Sequence, residues 1–475
     1  MENGTASHTQ RRFPNTNQLF APRFRPLLEA VIVLTIQVTL SSCRIEFTDS
    51  QFYQQNPPPL HFTEAHIPQQ THTLTGEISV GAAKVSMSVP DNHPLAGYGG
   101  LHRRFLFPVQ EGKQGKTFKP HTEVDSEAIP SIKVLIYSDE QANNIYIISV
   151  DAVAVSADFS LSLVETLNKK SPSLNINHSN TIVTATHTHS GPTGLSINPF
   201  WQPFASGYYD INFFNILSNI TLQAVQQAKA NQKKISSTSL KQSDLSDFIK
   251  NRTETTSLNT KGTSITFKTS EDEIAGCLLI IPLHPTHYGT RDTVLSADYA
   301  GLLENNYTKL INEQTSCIFL NGAGGNAAAK IEERTPGEYS EQLVQKLDEA
   351  EESNQTLNHL SLHSKIVSMG KPSFNLDACG AGSISAFVQT PILDVALPRK
   401  TLVQTMDLGS NITLRFFPGE ITEDAWGLLK SSESEIPVSL SNDYAGYFVS
   451  KDHYRISSIE SCSSLYGENG VLYLR

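Results

Sequence analysis

The chain has 475 residues, of which 39% are hydrophobic and 17% are charged, and its formal net charge is -11. This length can bury a sizeable core in one large domain or two ordinary ones, and the composition excludes fibrous and wholly disordered classes. Lysine and arginine form no dense stripe that could displace counterions from phosphate, so we exclude nucleic acid as a partner.

The N-terminal segment has the features of an export signal. Arginines precede an apolar run over residues 30–40. That run has about a dozen residues, too few to cross roughly 30 Å of hydrocarbon but the right size for a signal h-region. It leads into Leu40-Ser41-Ser42-Cys43, which resembles the lipobox of bacterial lipoproteins. We therefore predict a lipoprotein signal peptide over residues 1–42 and lipidation at Cys43; the alternative is an ordinary signal peptide with an incidental cysteine.

Residues 43–76 are predicted to be a flexible tether. The segment is rich in Gln, Pro, His and Thr, includes three consecutive prolines and shows no sustained periodicity. Two or more acyl chains on Cys43 would give stable membrane anchoring. Arg44, in place of an aspartate, favours the outer membrane by resemblance to bacterial sorting. The expected location is therefore an outer-membrane or periplasm-facing lipid anchor.

Residues 77–475 are predicted to form one mixed α/β domain, because short apolar strands alternate with amphipathic helices. The predicted strands cover residues 145–155, 181–186, 276–283, 316–320 and 413–417, and the predicted helices cover 157–169 and 299–313. Such alternation places functional sites at strand ends. The remaining cysteines, Cys277, Cys317, Cys379 and Cys462, are widely and irregularly spaced, so no disulfide connectivity is predicted.

Two histidines directly follow the predicted strand that ends at Thr186. His187 and His189 are two residues apart, and in an extended chain such residues project from one face. This arrangement suits one metal ligand and one neighbouring acid or base. Taken alone, the pair is more simply interpreted as two polar residues at a strand end, because histidine pairs are common without metals.

Three further positions become candidates only in combination. His284 follows an apolar strand and is either a ligand or a half-buried polar residue. Glu420 follows a Pro-Gly turn that would present its carboxylate, although an isolated glutamate there usually has no function. Tyr447 lies in Asp443-Tyr444-Ala445-Gly446-Tyr447, where a packed aromatic is the simpler interpretation.

Taken together, these segments resemble the neutral, non-lysosomal ceramidases. The most specific is Thr-His-Thr-His-Ser-Gly-Pro over residues 186–192. The others occur in family order and are Gly97-Tyr98-Gly99, Ser149-Val150-Asp151, Asn251-Arg252, His284-Pro285, Ser296-Ala297-Asp298, Pro418-Gly419-Glu420, residues 444–447 and Leu465-Tyr466-Gly467.

The resemblance implies a catalytic zinc ion held by His187, His284, Glu420 and Tyr447. It also implies that His189 moves a proton and that Arg252 lines the substrate pocket. Two imidazoles and a carboxylate are, independently, a ligand set that zinc hydrolysis requires. We further expect Asp151 and Asp298 to orient the ligating histidines, because such rings commonly donate their second N–H to a carboxylate.

The sequence departs from the family in one loop. The family carries an essential serine in Gly-Asp-x-Ser-Pro, whereas this chain, aligned on Gly325, has Asn326, Ala328 and Ala329. A serine nucleophile is therefore excluded at this position. A metal-activated water could still act, with backbone N–H groups of Gly324 and Gly325 expected to hold an oxyanion. The simpler interpretation of the glycines is a tight turn.

The function expected from the resemblance is a lipid-anchored zinc hydrolase that cleaves an N-acyl amide bond, of a sphingolipid or another acylated substrate. Because Ala328 has no hydroxyl, the alternative is a lipoprotein that keeps the zinc pocket but binds a ligand without turnover. A different metal hydrolase on the same scaffold is the third possibility. Family members of full length continue past the position of Leu465-Tyr466-Gly467 into more helix and then a β-sandwich domain, and we expect no sandwich here.

Overall fold

The computed structural model describes residues 59–111, 114–254, 256–311, 314–332, 334–372, 375, 378–379 and 397–475. The predicted signal peptide (1–42) and Cys43 lie outside these residues. The predicted tether is described from residue 59 onward. No helix in these ranges has both the length and the apolar character needed to cross a bilayer.

The strands of the described residues are mostly short. In chain order they are β1 (Thr71–Thr75), β2 (Ser79–Ser86), β3 (Arg104–Glu111), β4 (Gln114–Phe118), β5 (Glu123–Val124), β6 (Ser131–Ser138), β7 (Asn144–Val150), β8 (Thr181–Ala185), β9 (Lys233–Lys234), β10 (Ser237–Asp244), β11 (Ile249–Asn251), β12 (Lys261–Lys268), β13 (Ile274–Ile281), β14 (Val294–Leu295), β15 (Cys317–Asn321), β16 (Ala327–Ala329), β17 (Glu352–Thr356), β18 (His359–Ser368), β19 (Lys400–Leu408), β20 (Ile412–Phe416), β21 (Glu420–Ile421), β22 (Glu435–Val438) and β23 (Tyr447–Phe448).

Two of the longer helices begin at residues whose side chains cap the first turn. Asp210 accepts hydrogen bonds from two N–H groups of the first turn of the longest helix, and Thr335 and Glu338 form a reciprocal capping box before Pro336. The α-helices are α1 (Ala157–Lys170), α2 (Ile211–Ala230), α3 (Asp298–Ile311), α4 (Pro336–Asp348), α5 (Glu423–Leu429), α6 (Lys451–Tyr454) and α7 (Ile459–Cys462).

The longer strands form three five-stranded sheets. Sheet I has the order β8-β7-β6-β2-β9, sheet II the order β15-β13-β12-β10-β17, and sheet III the order β1-β18-β19-β20-β22. One edge pair of each sheet is parallel, namely β7 with β8, β13 with β15, and β20 with β22. The shorter strands pair as β3 with β4, β5 with β14, β11 with β16, and β21 with β23.

The three sheets share one apolar core, and helices cover the other faces of sheets I and II. Along β6, Leu135 and Tyr137 face the shared core, whereas Val134 and Ile136 pack with α1 and α2. This alternation follows from the two-residue period of a strand. Because both faces are buried, such strands have nearly continuous apolar sequences. Helices α3 and α4 pack in the same way on sheet II.

The mixed α/β prediction is confirmed, with small shifts in boundaries. The strand predicted over 145–155 ends at Val150, because the chain turns there and Asp151 forms an ion pair with Lys133. The tether prediction for residues 43–76 is wrong at its C-terminal end. There, β1 pairs with β18 and Leu74 is fully buried in the shared core.

The structure assigns two disulfide bonds that spacing could not predict. Cys277 and Cys317 are direct partners on the parallel strands β13 and β15, with Cα atoms 4.6 Å apart. Cys379 bonds to Cys462 at the end of α7, with a Cα separation of 4.8 Å. Both pairs depend on the neighbours that the fold creates, since 40 and 83 residues separate their members.

Candidate metal centre

Three segments that end or begin strands bring His187, His284 and Glu420 together. His187 follows β8 of sheet I, and His284 follows β13 of sheet II. Glu420 is the first residue of β21, directly after the Phe-Pro-Gly turn that leaves β20 of sheet III. Each sheet therefore contributes one residue at a carboxyl end of its strands, where α/β proteins commonly place their sites.

The donor atoms of this trio converge on one buried point. One nitrogen or oxygen from each side chain lies within 4.8 Å of the other two. Glu420 Oε2 is 2.9 Å from His284 Nε2 and 3.2 Å from His187 Nε2. All three residues are buried.

An unusual backbone conformation aims His187 at this point. Its φ of 71° lies in the left-handed region, which is uncommon for any residue other than glycine. Its backbone N–H donates to the Ala152 carbonyl at 2.9 Å, and its ring Nδ1 lies 2.6 Å from the Val153 carbonyl. Because Nδ1 must donate this hydrogen bond, Nε2 keeps a free lone pair directed at Glu420 and His284.

Tyr447 and Arg252 complete one side of the cluster. Tyr447 is the direct partner of Glu420 in the β21–β23 pair, and its hydroxyl lies 3.4 Å from His284 Nε2. Arg252 follows β11, and its Nη2 donates to the Tyr447 hydroxyl at 3.2 Å and also to the Gly325 carbonyl. The structure thus brings together both residues that the resemblance assigned to this site.

Tyr444 is a contact that the sequence did not single out. Its hydroxyl donates to Glu420 Oε1 at 2.7 Å, so Oε2 remains the oxygen that faces the histidines. The ring of Trp201 packs against Tyr444 with a centroid distance of 4.7 Å. The sequence signal for Tyr444 was its place in the motif over residues 444–447, but nothing local distinguished it from a packed aromatic.

Burial and neighbouring charges set the protonation states. Burial would raise the pKa of Glu420, but His187 and His284 outweigh it and hold that pKa well below the usual value. Burial, with Arg252 nearby, lowers the pKa of His284 to about 4. Burial and the Glu420 charge raise the pKa of Tyr447 well above its ordinary value. At neutral pH the centre therefore presents a carboxylate, a neutral His284 imidazole and a neutral phenol.

This donor set fits a zinc ion. Zinc prefers two or three imidazole or carboxylate ligands that leave one position open. Four tetrahedral ligands at about 2.0–2.1 Å from the metal lie roughly 3.3 Å from one another, and the observed separations of 2.9 and 3.2 Å are close to this value. His187, His284 and Glu420 could hold the ion, with the Tyr447 hydroxyl beside them.

His189 lies next to the cluster but outside the converging trio. Its Nε2 is 3.3 Å from His187 Nε2, and its ring packs against Tyr98 with a centroid distance of 4.7 Å. Burial, together with His187 and His284, lowers the pKa of His189 well below its ordinary value. Gly97 makes room for it, because a Cβ there would lie 2.6 Å from the His189 Cα and its φ of 106° disfavours other residues.

The expectation that Asp151 and Asp298 orient the histidine rings is wrong. Asp151 forms an ion pair with Lys133 and accepts a hydrogen bond from Thr186. Asp298 accepts backbone N–H bonds from residues 287, 288 and 299. The two aspartates therefore position the chain next to His187 and His284, while the Val153 carbonyl contacts the His187 ring.

The loop that replaces the family serine has no free oxyanion donor at the expected positions. Gly324 N–H donates to the Gly322 carbonyl and Gly325 N–H donates to the Ile421 carbonyl. Ala328 lies in β16 opposite Lys250 of β11. Asn326 is buried and its amide group donates to Asn251, Thr256 and Ser257. The expected oxyanion role of Gly324 and Gly325 is therefore wrong, and the tight-turn interpretation agrees with these bonds.

Comparison with known proteins supports the resemblance. Residues 132–325 match the family model for the N-terminal region of neutral/alkaline non-lysosomal ceramidase. Over these residues the chain is similar to the neutral ceramidases. Neutral ceramidase A of Dictyostelium discoideum is 26% identical over 100 residues, which cover 21% of this chain but only 14% of that protein. The predicted resemblance is confirmed.

Solved ceramidase structures share the fold. Neutral ceramidase from Pseudomonas aeruginosa matches with a TM-score of 0.66 and 15% identity over 84% of this chain and 73% of that chain. A ceramidase complexed with C2 matches with a TM-score of 0.64 and 15% identity over 84% of this chain and 74% of that chain. At this identity the likeness establishes the mixed α/β fold of the ceramidases.

Proposed function

We propose that this protein is a zinc-dependent hydrolase that cleaves the N-acyl amide bond of an acylated, ceramide-like substrate. The observation that carries the proposal is the buried convergence of His187, His284 and Glu420, with Tyr447 and Arg252 beside them. The family match over residues 132–325 contains both histidines and Arg252, and points to the same chemistry.

Each side chain has a distinct task in this mechanism. His187, His284 and Glu420 would hold Zn²⁺, which would supply Lewis acidity to polarise a carbonyl and to acidify water. His189 lies 3.3 Å from His187 and is placed to carry a proton. Arg252 holds the Tyr447 hydroxyl through a hydrogen bond, and both can donate to the oxygen of the scissile carbonyl, where negative charge develops.

Ala328 supports a second candidate, a pocket that binds a ligand without turnover. Its methyl group cannot attack a carbonyl or donate a hydrogen bond, and the neighbouring Gly324 and Gly325 N–H groups already have partners. Ala328→Ser tests whether only a hydroxyl is missing. A gain of ceramide cleavage in this variant would support the second candidate for the natural protein.

The decisive experiment measures bound metal and turnover together. The purified full chain is analysed for zinc by mass spectrometry and incubated with a panel of N-acyl lipids and simple esters. His187→Ala should lose both zinc and hydrolysis, whereas His363→Ala, at a half-exposed histidine on β18, should keep both. Zinc without turnover of any compound would favour the binding protein, and failure to retain zinc would overturn the metal centre.

We also propose that Cys43 carries a lipid anchor that holds the protein at a membrane, in an outer-membrane or periplasm-facing location. The support is the lipobox-like Leu40-Ser41-Ser42-Cys43 after an apolar run. Metabolic labelling with a fatty-acid analogue should mark the natural chain and not Cys43→Ser. Equal labelling of the two chains, or none, would contradict the anchor.

A further inference from the structure

A buried glutamate stands directly behind the accessible arginine of the candidate site. Glu460 lies in the short helix α7, and its Oε1 is 2.9 Å from Arg252 Nη2. The Arg252 side chain is 28% exposed, whereas that of Glu460 is 1% exposed. Solvent or a substrate can therefore reach the Arg252 side chain but not the carboxylate that pairs with it.

The position of Glu460 is fixed from several sides. Its Oε2 accepts a hydrogen bond from the Thr253 hydroxyl at 3.2 Å, and His453 Nε2 lies 4.0 Å away. The next residue but one, Cys462, is tied to Cys379 by a disulfide bond. A carboxylate held in this way cannot swing out to meet a substrate, so its influence on binding must pass through Arg252.

The ion pair of Arg252 and Glu460 sets the net charge that a ligand encounters at this side of the site. An arginine without a partner at the rim of a site would attract a carboxylate or phosphate through its fork of N–H donors. Here a fixed buried anion already balances that charge, and the same nitrogen, Arg252 Nη2, donates to the Tyr447 hydroxyl and the Gly325 carbonyl. Together, Arg252 and Glu460 therefore present a positioned hydrogen-bond donor with little net charge. A substrate carboxylate bound to Arg252 would also be repelled by the Glu460 carboxylate on the other side of the guanidinium.

We propose that Glu460 is a specificity-determining residue that neutralises Arg252 and makes the site select acyl substrates with no negative charge next to the scissile amide. This inference rests on the proposed hydrolase function. It predicts N-acyl amino alcohols as the preferred class and N-acyl amino acids as the disfavoured class.

The test compares two N-acyl compounds, one with and one without a negative charge next to the amide. N-lauroylethanolamine carries a hydroxyl group and N-lauroylglycine a carboxylate at nearly the same distance from the amide. For each variant of the full chain, kcat/KM is measured for both, and dissociation constants are measured by calorimetry. The ratio of the two compounds is the readout, because a merely structural role of Glu460 would weaken both equally.

Glu460→Gln should shift this ratio toward N-lauroylglycine by about tenfold, the effect expected of one partly desolvated charge pair. The matched control is Glu468→Gln, because Glu468 pairs with Lys451 and Arg455 on the surface of the same C-terminal region. That control should leave the ratio unchanged. A folded Glu460→Gln protein with an unaltered ratio overturns the proposal.

Arg252→Gln provides the opposite charge change if Glu460→Gln does not fold. It leaves the buried Glu460 anion unbalanced, so the ratio should move about tenfold against N-lauroylglycine; no movement overturns the proposal. Binding without turnover in every variant would overturn the proposed hydrolase function. The ratio of the two dissociation constants would then still test the role of Glu460. Turnover with the same ratio of kcat/KM in every variant would overturn the role of Glu460 and would be consistent with the proposed hydrolase function. Neither binding nor turnover would overturn both.

Discussion

Two buried groups of ionisable residues lie close together in this protein, and they are built differently. In the first, Lys133 of β6 pairs with Asp151 and, at 3.3 Å, with Glu304 of α3. In the second, His187 and His284 meet Glu420. The lysine group has a cation of its own between two carboxylates, whereas the histidine group directs three donor atoms at one point.

The difference separates a cluster whose charges are balanced within the chain from one that could bind a metal. Burial would lower the pKa of Lys133, but its two carboxylates outweigh burial and raise it, so the ammonium stays charged. The remaining lone pairs there accept hydrogen bonds from Ser131, Thr186 and Phe319. In the histidine group, His284 Nε2 and His187 Nε2 lie 2.9 Å and 3.2 Å from the same oxygen, Glu420 Oε2. Among the described residues, no lysine lies between these lone pairs as Lys133 lies between its two carboxylates. Lone pairs that converge in this way suit a bound metal cation.

The largest effect should come from breaking the histidine group. In His187→Ala the centre keeps one imidazole and one carboxylate, too few to hold zinc in a catalytic geometry. We expect loss of bound metal and a fall in hydrolysis of roughly a thousandfold or more. Removal of zinc from the natural protein with a chelator should give the same fall, and added zinc should reverse it only in the natural protein. Metal content unchanged in His187→Ala would place the ion elsewhere.

Breaking the lysine group should instead cost stability. Lys133→Met leaves Asp151 and Glu304 buried without their shared cation, which typically costs about 3–5 kcal/mol. Urea unfolding followed by circular dichroism measures this loss. Lys84→Met is the matched control, because Lys84 also pairs with Glu304 but its side chain is 21% exposed. Equal losses in the two variants would show that burial does not decide the cost.

A third buried carboxyl, Asp443, sharpens the contrast because its hydrogen bonds come from neutral groups, Ala157, Tyr444 and Thr401. Burial raises its pKa to about 6. The folded state then binds more protons than the unfolded state between about pH 4 and pH 6, so stability falls as pH rises through this window.

Asp443→Asn should remove that fall, since the uncharged amide oxygen can accept from the Ala157 and Tyr444 N–H groups while the amide nitrogen donates to the Thr401 hydroxyl. We expect little change in unfolding free energy near pH 4 and a gain of up to about 3 kcal/mol at pH 7. Chemical denaturation across this pH range provides the measurement. A variant that keeps the slope of the natural protein would show that another group titrates there.

The smallest effect should come from Tyr444→Phe, which removes the hydrogen bond to Glu420 Oε1 and leaves the ring in place. Loss of such a support for a ligand typically weakens metal affinity by about 10–100-fold. Competition with a zinc indicator measures it. Tyr466→Phe, which removes a bond to the Pro398 carbonyl, should leave zinc affinity unchanged. Identical affinities in both variants would mean that Tyr444 is only a packed aromatic.

Much of the framework was predictable from local pattern. Apolar runs with flanking turn residues located most of β7, β8, β13, β15 and β20, and amphipathic periodicity located α1 and α3. His187 and His284 directly follow two of these strands, which made them candidates for a site. The extended backbone predicted for His187 and His189 is wrong. Their rings meet because His187 has a left-handed φ.

Other features depended on contacts that local pattern does not encode. The pairing of four cysteines, the inclusion of β1 in sheet III, and the saturated N–H groups of Gly324 and Gly325 all follow from neighbours distant in the chain. Glu460 shows this most clearly. It lies 208 positions from Arg252 by their residue numbers, in a helix too short to produce a periodic signal.

The sequence by itself determined the residue types of the centre, the alternation of strands and helices, and the resemblance to the ceramidases. Strand and helix periods reflect the geometry of adjacent residues, so a single chain displays them directly. Only the tertiary structure decided which of these side chains lie within contact distance of one another. His284 and Glu420 are 136 residues apart and Arg252 and Tyr447 are 195 apart, and only the packing of distant segments brings these pairs within hydrogen-bonding distance.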